Sequence, residues 1–366
     1  MKRVLFLTNF ASPYRVSFFE LLGKSYDLTV LLSDSPENAS HREESWFGRC
    51  QGGFRMVQLK KTARIGEDPL CLEVLSWLKN PYDVIVICGY SSPTAMLAMA
   101  WLRLNRIPFW MEVDGGMIRQ EGRLKYRFKK HLVSMADRWL SSGPRTSEYL
   151  IYYGAKPEKI FLYPFSSLYQ ADILPQPTPA AAKLALRREL GMEEEHIVLA
   201  TGQFVPRKGF DVLMRGAASL PSNVGVYIVG GKAPQAYLEL QERLGLSHVH
   251  FWGFRPKEDL ARVFQAADVF VMPTRFDIWG LVVSEAMAYG LPVVTTDRCV
   301  AGLELVENGV NGYVVPAEDP DALAEKLRLV LETDRTEMGR ASLKKIQPYT
   351  LENMAKTHVE IFEGGR

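Results

Sequence analysis

Two acids and two cations on separate stretches of the chain set the chemical question. In "PTRFDIWGLVVSEAMAYG" (273–290) Asp277 sits on a bend, Gly280 follows where a helix should begin, and Glu285 comes after seven intervening residues. The first amides of a helix have no partner within it, and a glycine there has no Cβ to hold an anion off the backbone. A phosphate fits that place. A carboxylate accepts hydrogen bonds and suits sugar hydroxyls on either side of such a phosphate. In "TGQFVPRKGFDVL" (201–213) the adjacent Arg207 and Lys208 follow a turn at Gly202 and precede Gly209 and a second helix. Neighbouring cations beside a helix start suit a diphosphate. No GxxxxGK[ST] loop is present, so this is not a Walker site. Each feature alone also fits a bland role: Arg207 and Lys208 as solvated loop charge, Asp277 as a cap, Glu285 as a surface acid.

These residues need strands and helices to hold them, and the chain supplies two series. Strand-like runs such as "RVLFLTNF", "DVIVICGY" and "PFWMEVDGG" alternate with amphipathic segments through the first half. Several are apolar on both faces, as buried parallel strands are. A second series runs from "HIVLATGQF" through "VGVYIVGG", "HVHFWGF", "DVFVMPT" and "PVVTTD" to "GYVVP". Between the two lies "ADILPQPTPA" (171–180), whose prolines and small residues read as a linker. The expectation is an α/β protein of two Rossmann-like, doubly wound domains facing across a cleft. The first covers residues 1–175 and the second 176–346, with a terminal helix within 347–366 returning to the first. The polar stretch 33–53 reads as a long loop near a working surface.

Composition narrows the class. With 366 residues, 47% apolar and 23% charged, the chain is an ordinary soluble globular protein large enough for two cores. Cys50, Cys71, Cys88 and Cys299 are scattered without a CxxC, which supports neither a disulfide framework nor zinc and suits a reducing cytoplasm. No apolar run approaches the ~20 residues a membrane helix requires. Residues 1–180 hold 23 basic and 17 acidic side chains, and the remainder 21 and 25. A basic first half can meet phosphate, acidic sugar or anionic lipid.

Beyond these features, "GQFVPRKGFDVL", "VYIVGG", "VHFWGF", "ADVFVMPTRFDIWGLVVSEAMAYGLPVVTTD" and "ENGVNGYVVPAEDPDALAEKL" together resemble the nucleotide-sugar domain of the retaining glycosyltransferases of family four, which have the GT-B fold. The likeness runs in order through nearly all of residues 195–330; in the first half it is looser and rests on the strand pattern and "TNFASPYRVSFFE". It implies that Arg207 and Lys208 bind the donor diphosphate and Glu285 the ribose hydroxyls. It also implies that Asp277 contacts the donor sugar, that Gly280, Leu281 and Val282 offer amides, and that Gly253–Phe254 lie near the base. The chain departs from the family in having Asp277 where Glu is usual. It also has Glu112 and Asp114 where many members have a histidine, which makes Asp114 the candidate contact to the reacting sugar. A plain strand-end turn explains "DGG" as well.

Other stretches carry further expectations. Ser12 and Tyr14, and Arg15 beside them, follow the first strand and either touch diphosphate or acceptor or form an ordinary turn with Pro13 at a helix start. Asp319–Pro320–Asp321 reads as a helix cap and not as a metal pair, and no histidine motif suggests a metal. "RQEGRLKYRFKKHLVSMADRW" (119–139) mixes Arg123, Lys125, Arg127, Lys129 and Lys130 with Leu124, Tyr126 and Phe128. It fits either an anionic bilayer surface or a solvated crossover helix. No nucleic-acid module accompanies it. The resulting expectation is a cytoplasmic, metal- and cofactor-independent retaining glycosyltransferase. It would use a nucleoside diphosphate sugar, foremost a UDP-sugar, and a polysaccharide or lipid-linked acceptor, with contact to the inner membrane face possible. The rivals are a non-catalytic nucleotide-sugar-binding subunit and a nucleotide-sugar epimerase of the same fold.

Overall fold

The computed structural model describes residues 1–34 and 52–365, so the polar stretch assigned to a long loop falls mostly outside them. The chain divides into two units, Met1–Ser167 with Tyr349–Arg366, and Leu168–Pro348.

In the first unit the strands are β1 (Arg3–Thr8), β2 (Asp27–Leu32), β3 (Arg55–Gln58), β4 (Ala63–Ile65), β5 (Asp68–Leu70), β6 (Val84–Cys88), β7 (Trp110–Val113), β8 (Arg138–Ser141) and β9 (Ile160–Leu162). Its helices are α1 (Pro13–Leu22), α2 (Val74–Leu78), α3 (Pro93–Leu104), α4 (Arg123–Val133) and α5 (Pro144–Tyr152). Seven strands form one sheet in the order β3-β2-β1-β6-β7-β8-β9, every neighbouring pair parallel. A small antiparallel pair, β4–β5, stands apart. β1 is buried along Val4–Thr8, as a central parallel strand covered on both faces must be.

The second unit contains α6 (Ala180–Leu190), β10 (His196–Thr201), α7 (Phe210–Ala217), β11 (Val224–Val229), α8 (Gln235–Leu244), β12 (Val249–Trp252) and α9 (Lys257–Ala266). It continues with β13 (Val269–Met272), α10 (Leu281–Ala288), β14 (Val293–Thr296), α11 (Val300–Leu305), β15 (Gly312–Val315), α12 (Pro320–Glu332) and α13 (Arg335–Ile346). Its strands order as β12-β11-β10-β13-β14-β15. The chain leaves β10 in one direction and returns to its other side at β13, so the strand order reverses there. In doubly wound sheets ligands bind at the carboxyl ends of the strands at that point. Asp319 accepts from the Ala322 amide with Pro320 in the first turn, so the acidic pair there opens α12. The proline-rich stretch at 171–180 belongs to the second unit: the Leu174 amide donates to the Ala288 carbonyl.

The chain's last helix, α14 (Leu351–Phe362), belongs to the first unit and packs on α1. Thr350 caps it by accepting from the Asn353 amide. Phe362 meets Phe6, Tyr26 and Trp110 with ring centroids 5.4–6.4 Å apart, and Lys2 Nζ reaches the Phe362 carbonyl and Glu363. Phe362→Ala should therefore lower the stability of the first unit by about 3 kcal/mol, read as a shifted urea midpoint in its own transition; an unshifted midpoint would show that α14 adds nothing to that core.

Candidate functional site

Two loops leave the carboxyl ends of the second sheet beside the reversal. The first follows β10. Pro206–Lys208 form a single 3₁₀ turn that ends on Gly209, which has φ +67° and opens α7. A Cβ at Gly209 would stand 2.0 Å from the Pro273 carbonyl oxygen. No other residue fits, for the backbone sign and for space.

The second loop, Pro273–Gly280, follows β13 and is bolted to the first. Thr274 Oγ1 and the Arg275 amide both donate to the Arg207 carbonyl at 2.8 Å. The Arg275 guanidinium donates to the Pro206 carbonyl and, through two nitrogens at 2.7 Å, to the Asp211 carboxylate, with Glu318 on its far side. Asp277 is fixed in turn by its amide on the Arg298 carbonyl and by a bridge to Cys299.

This framework brings three of the expected site residues into direct contact. Arg207 Nη1 and Lys208 Nζ each donate to Asp277 Oδ2 at 2.8 Å. Burial alone would raise the Asp277 carboxyl, but Lys208 and Arg207 outweigh it and hold the group below its ordinary value. Lys208 and Asp277 are nearly closed to solvent, whereas the Arg207 side chain keeps 51% of its surface, which leaves most of the guanidinium presented outward. Gly202, with φ +144°, lies against the Lys208 stem.

Three residues after Asp277, Gly280 opens α10 with φ +100°, and a Cβ there would meet Cys299 Sγ at 2.8 Å. The amides of Gly280, Leu281 and Val282 begin that helix, where no intrahelical carbonyl precedes them. Glu285 lies farther along the same helix, half-buried. After β12, Phe254 is 42% exposed and Arg255 lies over the Trp252 ring.

In the first unit Asp114 follows β7 at the carboxyl edge of its sheet. Arg15 Nη2 donates to both its oxygens at 2.6 and 2.7 Å, and the Tyr163 hydroxyl to Oδ1 at 2.9 Å. Burial raises the Asp114 carboxyl, Arg15 opposes that, and Glu112 adds to it; the net shift is upward. Glu112 is 1% exposed. Arg15, 4% exposed, donates to both Glu112 and Asp114. Ser12 is 2% exposed and precedes α1 without capping it through its side chain; Tyr14 is half-buried against Phe165. Among the described residues no group of three or more His, Cys, Asp or Glu side chains is arranged to hold a metal ion. Sequence reasoning missed Arg275, although it sits two residues before Asp277, because its partner Asp211 is far away in the chain. It also missed Tyr163 and His358, for which no local motif exists.

Comparison with known proteins now bears on this geometry. Residues 183–345 match the family described as "Glycosyl transferases group 1". The chain is 34% identical over 249 residues to a D-inositol 3-phosphate glycosyltransferase of Kribbella flavida, a stretch covering 63% of this chain and 57% of that protein. It is 36% identical over 192 residues to the Corynebacterium urealyticum protein of the same name, covering 48% of this chain and 45% of the relative. The chain thus spans about half the length of these curated relatives. Among solved structures, Anabaena HepE in complex with UDP and glucose superimposes with a TM-score of 0.74 at 20% identity, covering 99% of this chain and 100% of that one. The sucrose-phosphate synthase of Thermosynechococcus elongatus gives 0.77 at 20%, covering 99% and 98%. These two, and the glycosyltransferase WaaG at 0.68, show the GT-B fold.

The acids of this site fix a pH response. Asp211 and Asp277 both titrate below their ordinary value, so each stabilises the folded second unit above its unfolded pKa of about 4, and that contribution is lost as pH falls through the folded value. At Asp211 the largest cause is the Arg275 hydrogen bond. Arg275→Ala should make the fall in urea midpoint between about pH 5 and about pH 3 shallower; an unchanged slope would sever that link.

Proposed function

We propose that this chain, whose residues 183–345 match the family described as "Glycosyl transferases group 1", transfers a sugar from a nucleoside diphosphate donor to a hydroxyl acceptor, without a metal and with retention at the anomeric carbon. The observation that carries the reading is the Arg207–Asp277–Lys208 contact beside the glycine-opened start of α10, at the reversal of a doubly wound sheet. Two cations and three helix-opening amides there give a diphosphate its charge partners. A buried carboxylate between them can accept from a sugar hydroxyl once the cations turn to phosphate. Glu285 takes the ribose hydroxyls, Phe254 stacks near the base, and Asp114 of the first unit supplies a carboxylate to the reacting sugar.

In the transfer the bond between the anomeric carbon and the diphosphate oxygen breaks while the acceptor oxygen bonds to the same carbon from the same face. The acceptor proton passes to the departing phosphate oxygen. Arg207, Lys208 and the α10 amides meet the charge that grows on the diphosphate, and their fixed positions make that stabilisation effective. No protein nucleophile is required. UDP-sugars are the first donors to consider, since relatives of this fold are seen with UDP and UDP-glucose. The acceptor is a polysaccharide or lipid-linked saccharide.

Helix α4 supports the lipid-linked option. Leu124 and Phe128 stand 84% and 53% exposed, with Arg123, Lys125, Arg127 and Lys130 exposed around them. Lys129 is drawn to Glu121 and over the Tyr153 ring, so four of the five cations face outward. Such a face suits an anionic bilayer, on a chain in which no helix among the described residues is long and apolar enough to cross one. Replacing those four cations by Gln should weaken binding to phosphatidylserine-containing vesicles by about a thousandfold, at roughly 1 kcal/mol per charge; retained binding counts against membrane contact.

The enzymatic test is release of nucleoside diphosphate from a panel of donors, with and without acceptor extract, and the anomeric configuration of product by NMR. Tight binding with no turnover of any donor would point to a non-catalytic subunit, and isomerised donor without acceptor to an epimerase. Glu285→Ala should weaken binding of the bare nucleoside diphosphate about tenfold. Asp277→Asn should leave that affinity unchanged or tighter, because the competing anion is gone, yet cut turnover about a hundredfold through misplaced sugar. Calorimetry and steady-state rates separate the two; matching behaviour would refute the division of roles.

A further inference from the structure

Behind Asp114 lies a closed cluster that none of these roles uses. Arg15 Nη1 donates to Glu112 Oε2 at 2.9 Å while its Nη2 holds Asp114. Cys88 Sγ lies 3.0 Å from the same Glu112 oxygen. On the other side of the carboxylate, Glu112 Oε1 faces His358 Nε2 of α14 at 3.6 Å. Both of those atoms are buried, and neither has another hydrogen-bond partner.

The histidine tautomer follows from its second nitrogen. His358 Nδ1 lies 2.8 Å from the Met354 carbonyl, which accepts only, so Nδ1 carries a proton. If Nε2 and Oε1 were both bare, two lone pairs would confront each other in a site with no solvent, a costly arrangement. A proton between them removes the conflict. It also balances the cluster, since Arg15 alone cannot neutralise both Glu112 and Asp114. Glu112 behaves accordingly: burial pushes its carboxyl up, but Arg15 and then His358 bring it down to about 2. Of the acids and cations here only Asp114 reaches solvent, with 26% of its side chain exposed against 5% for Arg15 and none for Glu112 and His358.

We propose that Arg15, Glu112 and His358 are positioning residues for Asp114: a proton held between His358 Nε2 and Glu112 Oε1 fixes Glu112 on one arm of Arg15, which commits the other arm to Asp114 and aims its carboxylate at the sugar. The C-terminal helix thereby becomes part of the site's support. This rests on the reading that Asp114 contacts the reacting sugar.

The rings of Phe18, Tyr163 and Phe362 surround His358 at 4.8–5.8 Å, so phenylalanine fits its place while removing the proton. Hydrolysis of the fastest donor of the panel by the full chain provides kcat and donor KM. His358→Phe should lower kcat about tenfold or more with KM unchanged. His358→Gln restores a donor near Nε2 and should recover most of the rate. Glu112→Gln/His358→Phe, which removes the stranded anion, should recover it too, as coupled neighbours do in a double-mutant cycle. Wild-type kcat in His358→Phe, or an equal loss in all three variants, overturns the proposal. Asp114→Asn separates the two failures. If it turns over normally, the reading of Asp114 falls and this inference with it; if it is impaired while His358→Phe is not, only the positioning role falls. Should His358→Phe not fold, the double variant decides: folded and active supports the charge balance, and unfolded or inactive overturns it.

Discussion

A single carboxylate oxygen, Asp277 Oδ2, organises the second unit's working edge. It receives Arg207 and Lys208 together, and so ties the loop after β10 to the loop after β13 at the point where the sheet reverses. Neither cation would hold a fixed place otherwise, because a two-residue stretch of long flexible side chains gains little from exposed pairing. Burial changes that balance. Asp277 and Lys208 are out of water, so separating them would strand a charge in a poor dielectric. The same contact holds two positive charges side by side against one acid.

That arrangement demands close backbone contacts, which the glycines permit. Gly209 passes 2.0 Å, in terms of an added Cβ, from the Pro273 carbonyl, and Gly280 packs its Cα face against Cys299 and Met272. At Gly230 the same construction falls 1.7 Å from the Gly202 carbonyl oxygen, so the ends of β10 and β11 also approach without side chains between them. The positive φ at Gly209 and Gly280 turns each loop into the helix that follows it, α7 and α10. Position and electrostatics are therefore one design: the turn that lets the loops touch is the turn that presents the amides.

How much of this was legible in the sequence differed between the units. The second unit's site could be read because each part is local: a cation pair after a strand, a glycine at a helix start, and an acid on each side of that glycine. The strand alternation likewise gave both doubly wound sheets. What could not be read was the pairing of Arg207 and Lys208 with Asp277, since attraction between residues 70 apart leaves no periodic trace. Arg275 illustrates the limit; it stands inside the quoted motif, but its task as a clamp on Pro206 and Asp211 exists only in three dimensions. In the first unit Asp114 was the candidate, with Glu112 two residues before it. Strand alternation would place both on one face, yet β7 ends at Val113, and beyond that end Asp114 reaches solvent while Glu112 stays inside. The two units divide between Ser167 and Leu168, a few residues before the proline-rich stretch, since prolines mark where helices and strands stop and not where cores divide.

The two carboxylates, Asp114 and Asp277, make a physical contrast that bears on what each can do. Asp277 is buried and Asp114 half-buried, each against a cation, but desolvation and partners reach opposite outcomes. Around Asp277 two cations serve one acid, the charge is in excess, and the carboxyl stays below its ordinary value. Around Asp114 one guanidinium serves two acids, and the carboxyl is shifted upward by burial and by Glu112 despite Arg15. An acid in cation excess is a fixed anion, suited to holding cations or a hydroxyl without taking up a proton. An acid in anion excess yields its charge more readily, and its environment depends on how its neighbour is neutralised. That dependence is why the closed side of the first cluster matters to its open side: His358 Nε2 lies 3.6 Å from Glu112 Oε1, and the charge carried by that contact contributes to the field at Asp114.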